Sequence, residues 1–351
     1  MAGLVERSPF GFMPDGTEVE LFTLRNADLE LAVATYGGTV QRLLVPDRSG
    51  APGDVVLGFR ALDQYLEAGT LYLGSIVGRY AGRIAGGSFI LDGEQWTLPA
   101  NEGGNSLHGG TRGFDKQVWL PVDAGIVDGA ATLSLGYVSA DGEMGYPGRL
   151  EVIATYRLTG DRSVRLDFRA RSDRPTVVNL TSHPYWNLAG EGSGPVDGHL
   201  LALHANRCVA VDEGLIPTGE IVPVAGTPLD FRAPRRIGGA GAFDLTYVID
   251  PVATVAPAAD LHDPSSGRSL SISTTEPGIH FYSGDKLDGS QAGKAGKPYG
   301  ARAGVALEAQ HFPDSPNRTE FPPTVLRPGE ELRSSTVWKF GVDLDFGPDS
   351  L

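Results

Sequence analysis

Alternation with a period of two constrains this chain more than any other feature. In Ser163-Val164-Arg165-Leu166-Asp167-Phe168-Arg169-Ala170 every second side chain is apolar and the others are polar or charged. That is the pattern of a strand with one face on a core and the other in water. The run Val152-Ile153-Ala154-Thr155-Tyr156-Arg157-Leu158 precedes it across Thr159-Gly160-Asp161-Arg162, and Phe89-Ile90-Leu91 meets Gln95-Trp96-Thr97-Leu98 across a turn containing Asp92-Gly93. Both pairs predict antiparallel hairpins. Further strands are predicted over 29–35, 54–58, 131–138, 269–274 and 304–309. Helical periodicity is scarce, its best instance being Leu62-Asp63-Gln64-Tyr65-Leu66. The 48 glycines and 25 prolines are spread as turn punctuation, and no linker or repeat divides residues 1–351. The chain is therefore expected to be all-β, a single domain built as one large antiparallel β-sandwich.

Charge and cysteine usage narrow the partners. With 43 acidic and 29 basic side chains the net charge is −14, which repels phosphate backbones and anionic lipid and offers no footprint for nucleic acid. A neutral small molecule is the expected partner, with no nucleic acid and no membrane. The lone Cys208 forbids an internal disulfide, the start Met1-Ala2-Gly3-Leu4-Val5-Glu6-Arg7-Ser8 has neither a basic nor an apolar leader segment, and a cytoplasmic location is expected. No apolar run approaches the ~20 residues that span a bilayer. Cys208 reads as a small buried hydrophobe, because no basic or Gly-rich setting surrounds it. The longest predicted loop runs from Gly284 to Gly304. Within it Gly289-Ser290-Gln291-Ala292-Gly293-Lys294-Ala295 is one residue short of a phosphate loop and lacks its Ser/Thr, so a flexible surface loop is the expectation.

Three segments carry chemistry. Thr181-Ser182-His183-Pro184-Tyr185-Trp186-Asn187-Leu188 sets an imidazole among rings, an amide and hydroxyls. An imidazole hands protons to oxygens near neutral pH, rings such as Tyr185 pack on the apolar face of a pyranose, and amides read its hydroxyls. Upstream, Asn105-Ser106-Leu107-His108-Gly109-Gly110 places His108 at a glycine turn where backbone can approach a ligand, or where the histidine simply caps its own loop. Downstream, in Glu308-Ala309-Gln310-His311-Phe312-Pro313-Asp314, Glu308 follows the apolar run Val305-Ala306-Leu307. A carboxylate at the end of a strand is usually solvated, whereas the apolar approach with Gln310 and Phe312 nearby describes a partly desolvated one, with a pKa raised toward that of a useful base.

These segments, in this order and spacing, resemble the galactose mutarotase (aldose 1-epimerase) family over nearly the whole chain. The resemblance implies the galactose mutarotase-like supersandwich, with the sugar in a cleft on its concave side. It implies that His183 is the general acid on the ring oxygen, Glu308 the general base on the anomeric hydroxyl, and His108 a hydrogen-bonding support for the charge at the ring oxygen. Substrate contacts are implied for Arg83, Asn105, Tyr185, Asp244, His280 and Gln310. Three departures fall on the binding side: Gly82 where the family has asparagine, Leu245-Thr246 where it has His-Asn, and His280 where glutamine is common.

The reaction expected is interconversion of the α and β anomers of free aldoses such as galactose and glucose, with no metal and no organic cofactor, by a monomer or homodimer. Four rival readings share parts of this pattern. A glycoside hydrolase would use Asp244 and Glu308 as its carboxylate pair. A sugar-phosphate epimerase would need more Arg or Lys. A non-catalytic carbohydrate-binding β-sandwich would need no acid and base. A metal-binding barrel on His108, His183, His280 and Glu308 would lack any short-spaced His pair.

Overall fold

The computed structural model describes residues 3–69, 71–239, 241–250 and 254–343, and over these the alternating runs form antiparallel sheets. The largest has nine strands, in the order Leu120–Val127, Ala130–Ser139, Leu150–Leu158, Ser163–Ser172, Leu332–Val342, Arg268–Thr274, Ala256–His262, Leu200–Leu203 and Arg235–Arg236. A second has six: Tyr185–Trp186, Val305–Gln310, Gly278–Tyr282, Asp244–Val248, Arg207–Val211 and Pro217–Pro223. A third is a five-stranded meander from Leu4–Phe12 to Pro52–Asp54.

Leu24 and Leu31 of the meander, Leu133, Leu166 and Trp338 of the nine-stranded sheet, and Ile279, Phe281 and Leu307 of the six-stranded sheet all bury into one core. Trp186 meets Trp338 edge-on at 5.2 Å between ring centres, closing the layers on each other. Each such side chain contributes about 1.5–3 kcal/mol by leaving water. The all-β single-domain sandwich expected from the sequence is the fold observed.

Most predicted elements are present: Leu29–Ala34, Ala130–Ser139, Leu150–Leu158, Ser163–Ser172, Arg268–Thr274, Val305–Gln310, the Ser88–Leu91/Glu94–Thr97 hairpin and the short helix Leu62–Glu67. Three expectations are corrected. The strand predicted over 54–58 ends at Asp54, and beyond it only Val56 makes an isolated bridge, to Trp186. Glu308 lies inside its strand rather than at its end, since pairing with Gly278–Tyr282 continues to Gln310. The segment 289–295 is no free surface loop: Lys294 is buried, pairs with Asp54 at 2.7 Å and donates to the carbonyls of Gln41 and Val56 at 2.6 and 2.9 Å. No helix among the described residues is long and apolar enough to cross a membrane.

Candidate active site

Strand alternation builds the floor of the site. In Val305–Gln310 the side chains of Val305, Leu307 and Ala309 enter the core, while Glu308 and Gln310 line a cleft on the opposite face. The neighbouring strand repeats the division, with Ile279 and Phe281 in the core and His280 in the cleft, directly across from Glu308. One strand further, Phe243 and Leu245 are core residues and Asp244 lines the cleft. Tyr185, paired with Ala306, faces the cleft while Trp186 packs inward.

Loops supply the wall. His183 is clamped by its backbone: its N–H donates to the Ser75 carbonyl, and its own carbonyl accepts from Gly74, both at 2.9 Å. The Thr181 hydroxyl ties the same segment to the Ala309 carbonyl at 2.9 Å. His108 occupies the left-handed region at φ 52, followed by Gly109 at φ 85. Its N–H donates to the Gly82 carbonyl at 3.1 Å, and its Nδ1 accepts the Gly82 N–H at 3.2 Å. A Cβ on Gly109 would lie 1.9 Å from the Gly78 carbonyl oxygen, so only glycine lets this turn close.

These elements enclose about 260 Å³. His183 Nε2 lies 3.4 Å from Glu308 Oε1, and both side chains are almost fully buried. His183 Nδ1, Glu308 Oε2 and Gln310 Oε1 are buried without a hydrogen-bond partner among the described residues. Unsatisfied polar atoms carry a cost of about 1–3 kcal/mol each, so three of them on residues that line one cleft point to a polar ligand. Tyr72 packs edge-on to His108 at 4.7 Å, Tyr185 lies 4.8 Å from His183, and Tyr282 meets Tyr185 at 6.0 Å. Burial pushes the phenols of Tyr72 and Tyr185 up, and that of Tyr282 to about 12, so all three remain protonated. Burial, with the neighbouring His183 and Arg83 adding to it, pushes the His108 imidazole well below its ordinary value, and it is neutral. Burial alone would raise Asp244, but the hydrogen bond from His280 and the charges of His280, Arg83 and Lys286 hold it well below the usual carboxylate range.

The cleft gathers most of the expected residues: Arg83, His108, His183, Tyr185, Asp244, His280, Glu308 and Gln310. Asn105 is not in its lining; the side-chain oxygen instead accepts the Gly86 N–H at 3.0 Å, holding the loop that carries His108. Arg83, expected to contact the sugar, directs Nε and Nη2 at the two oxygens of Glu102, at 2.7 and 2.8 Å. The departures also sort themselves. Leu245 faces the core, whereas Thr246 and His280 form one unit: His280 Nδ1 lies 2.9 Å from the Thr246 hydroxyl and Nε2 lies 2.9 Å from Asp244 Oδ1. Gly82 has φ +79, and a Cβ there would meet Pro313 at 2.9–3.0 Å, so an asparagine would be strained by its backbone conformation and crowded by that proline. Sequence reasoning missed Tyr72, Glu102, Tyr282 and Lys286. Only Tyr282, two residues beyond His280, had a signal within reach, namely the same alternation.

Potential ligand atoms of His108, His183 and Glu308 fall within 4.8 Å of one another, a spacing that suits a metal ion as well as a pair of sugar oxygens. Nδ1 of His108 is already an acceptor of the Gly82 N–H, leaving it Nε2 alone.

A family model described as aldose 1-epimerase matches residues 20–339. The galactose mutarotase of Rattus norvegicus is 44% identical over 345 residues, which cover 96% of this chain and 99% of the relative. Among solved structures, a galactose 1-epimerase from Lactobacillus acidophilus NCFM superposes with a TM-score of 0.84 at 28% identity, covering 97% of this chain and 99% of its own. The GalM/aldose epimerase homologue from C. elegans gives 0.83 at 32% identity, covering 90% and 96%.

Proposed function

The chain belongs to the aldose 1-epimerase family, and we propose that it interconverts the anomers of free aldoses with Glu308 and His183 as the proton-transfer pair. The observation that carries the assignment of roles is the 3.4 Å approach of two buried side chains, each with a second polar atom that has no hydrogen-bond partner among the described residues. In an aldopyranose the anomeric hydroxyl and the ring oxygen are bonded to the same carbon, so the base and acid that serve them have to sit side by side.

Glu308 takes the proton from the C1 hydroxyl as His183 gives one to the ring oxygen. The C1–ring-oxygen bond breaks, leaving an open-chain aldehyde. Rotation about C1–C2 presents the other carbonyl face. Reclosure runs the same transfers backwards, with His183 taking the proton from the attacking hydroxyl and Glu308 returning one to the carbonyl oxygen. Neutral His108 serves as a hydrogen-bond partner near the ring oxygen, and Gln310, Tyr185 and Asp244 hold the sugar. We place the enzyme in the cytoplasm as a monomer or homodimer; a lone cysteine that is buried and free agrees with the location.

The test is polarimetry on freshly dissolved α-D-galactose and α-D-glucose, with L-arabinose and D-xylose for comparison. Rotation relaxing no faster than in buffer would end the epimerase reading; release of an aglycone from aryl galactosides would favour a hydrolase. Because the pair moves both protons, dialysis against EDTA is expected to leave the rate unchanged. A loss restored by zinc or manganese would transfer the chemistry to a metal held by His108, His183 and Glu308.

A further inference from the structure

Epimerisation of a neutral sugar leaves unexplained a cluster of charges at the mouth of the cleft. Glu102, from the loop before His108, takes both paired donors of Arg83 at 2.7 and 2.8 Å. Lys286, from the facing loop, brings its Nζ to 3.8 Å from Glu102 and 3.6 Å from Asp244. Arg83 also lies 3.5 Å from Asp244. All four line the cleft, with Glu308 deeper on the same surface.

Two cations therefore face three carboxylates, and the paired edge of the one guanidinium in the lining is occupied. An uncharged aldose loses nothing by this, since its hydroxyls donate to Glu102 and Asp244. A sugar bearing a carboxylate or a phosphate meets like charge and finds no free fork to receive it, although bidentate guanidinium contacts are the usual means of holding such groups.

Building on the epimerase reading, we propose that Glu102 is a specificity-determining residue: by occupying the Arg83 fork it makes the cleft reject anionic aldoses and confines it to uncharged ones. Removing its charge turns Arg83 and Lys286 into an anion clamp across the mouth.

The experiment compares kcat/KM for D-galactose, D-galacturonate and D-glucose 6-phosphate in the wild type and in Glu102→Gln, Glu102→Asp and Lys286→Glu. Glu102→Gln is expected to raise the anionic-to-neutral ratio about tenfold, through KM of the anionic sugars, with a smaller gain at high salt. A gain for galacturonate alone or for the phosphate alone tells which anion the mouth admits, and either supports the proposal. Glu102→Asp, which keeps the charge, should hold the wild-type ratio. Lys286→Glu, at an exposed position, should lower it further. A ratio moving less than twofold in Glu102→Gln, or moving equally in Glu102→Asp, overturns the proposal. Should Glu102→Gln fail to fold, an unchanged ratio in Lys286→Glu overturns it instead. A wild type inactive on every neutral aldose is a different result, which removes the epimerase reading itself.

Discussion

Glu308→Gln is expected to lower the rate of anomerisation by ~10²–10⁴-fold while the protein keeps its fold and melting temperature within a few degrees. The amide matches the carboxylate in shape, so the strand Val305–Gln310 and its pairing with Gly278–Tyr282 have no reason to move. What disappears is the only group in the pair able to accept the anomeric proton. His183→Asn should cost a similar factor, because the donor to the ring oxygen is lost while the backbone clamp to Gly74 and Ser75 remains. The double variant is expected to be scarcely worse than either single one, since residues acting as a unit are not additive. Rates of mutarotation and circular dichroism on the same preparations decide it. Folded Glu308→Gln within a few-fold of wild type would remove this carboxylate from the mechanism.

The parts of this arrangement visible in the sequence are those set by local pattern. Ser163–Ser172 has one wet face and one dry one, so its alternation is unmistakable. Val305–Gln310 is buried along its whole length, because the core covers one face and the cleft walls the other. Its polar residues therefore mark the site rather than solvent, and the strand looked as though it stopped at Glu308. Asp244–Val248 and Gly278–Tyr282, nearly as buried, alternate over only five residues each, and no strand was predicted there.

Pairings between loops were less accessible still. Glu102 reaches Arg83 only because Ser106–Leu107 pairs with Arg83–Ile84 and folds the intervening loop back over the cleft. Lys294 is buried because Asp54 and the distant carbonyls of Gln41 and Val56 receive its three donors. Neither contact leaves a mark on the nearby sequence. The motif around His183 could be recognised for its residue types, yet its position opposite Glu308 depends on Thr181 bonding across to Ala309.

The turn carrying His108 sets up the second large effect. Gly109→Ala is expected to destabilise the protein by ~4 kcal/mol or more and to lose most activity in whatever remains folded. The added methyl carbon would sit 1.9 Å from the Gly78 carbonyl oxygen and 2.7 Å from the Arg79 nitrogen, both backbone atoms with no rotamer to escape into. The φ of +85 adds a further penalty for any residue with a Cβ. Relief has to come from moving either the Gly78 segment or the turn, and moving the turn takes His108 away from His183, whose ring centre lies 5.5 Å from its own. Gly103→Ala separates the two contributions. Gly103 also has a positive φ, +55, but nothing lies within 4 Å of its would-be Cβ, so it should lose only about 1 kcal/mol. Equal shifts in the urea midpoint for the two variants would mean that backbone conformation alone, rather than the approach of Gly78, limits what can occupy this turn.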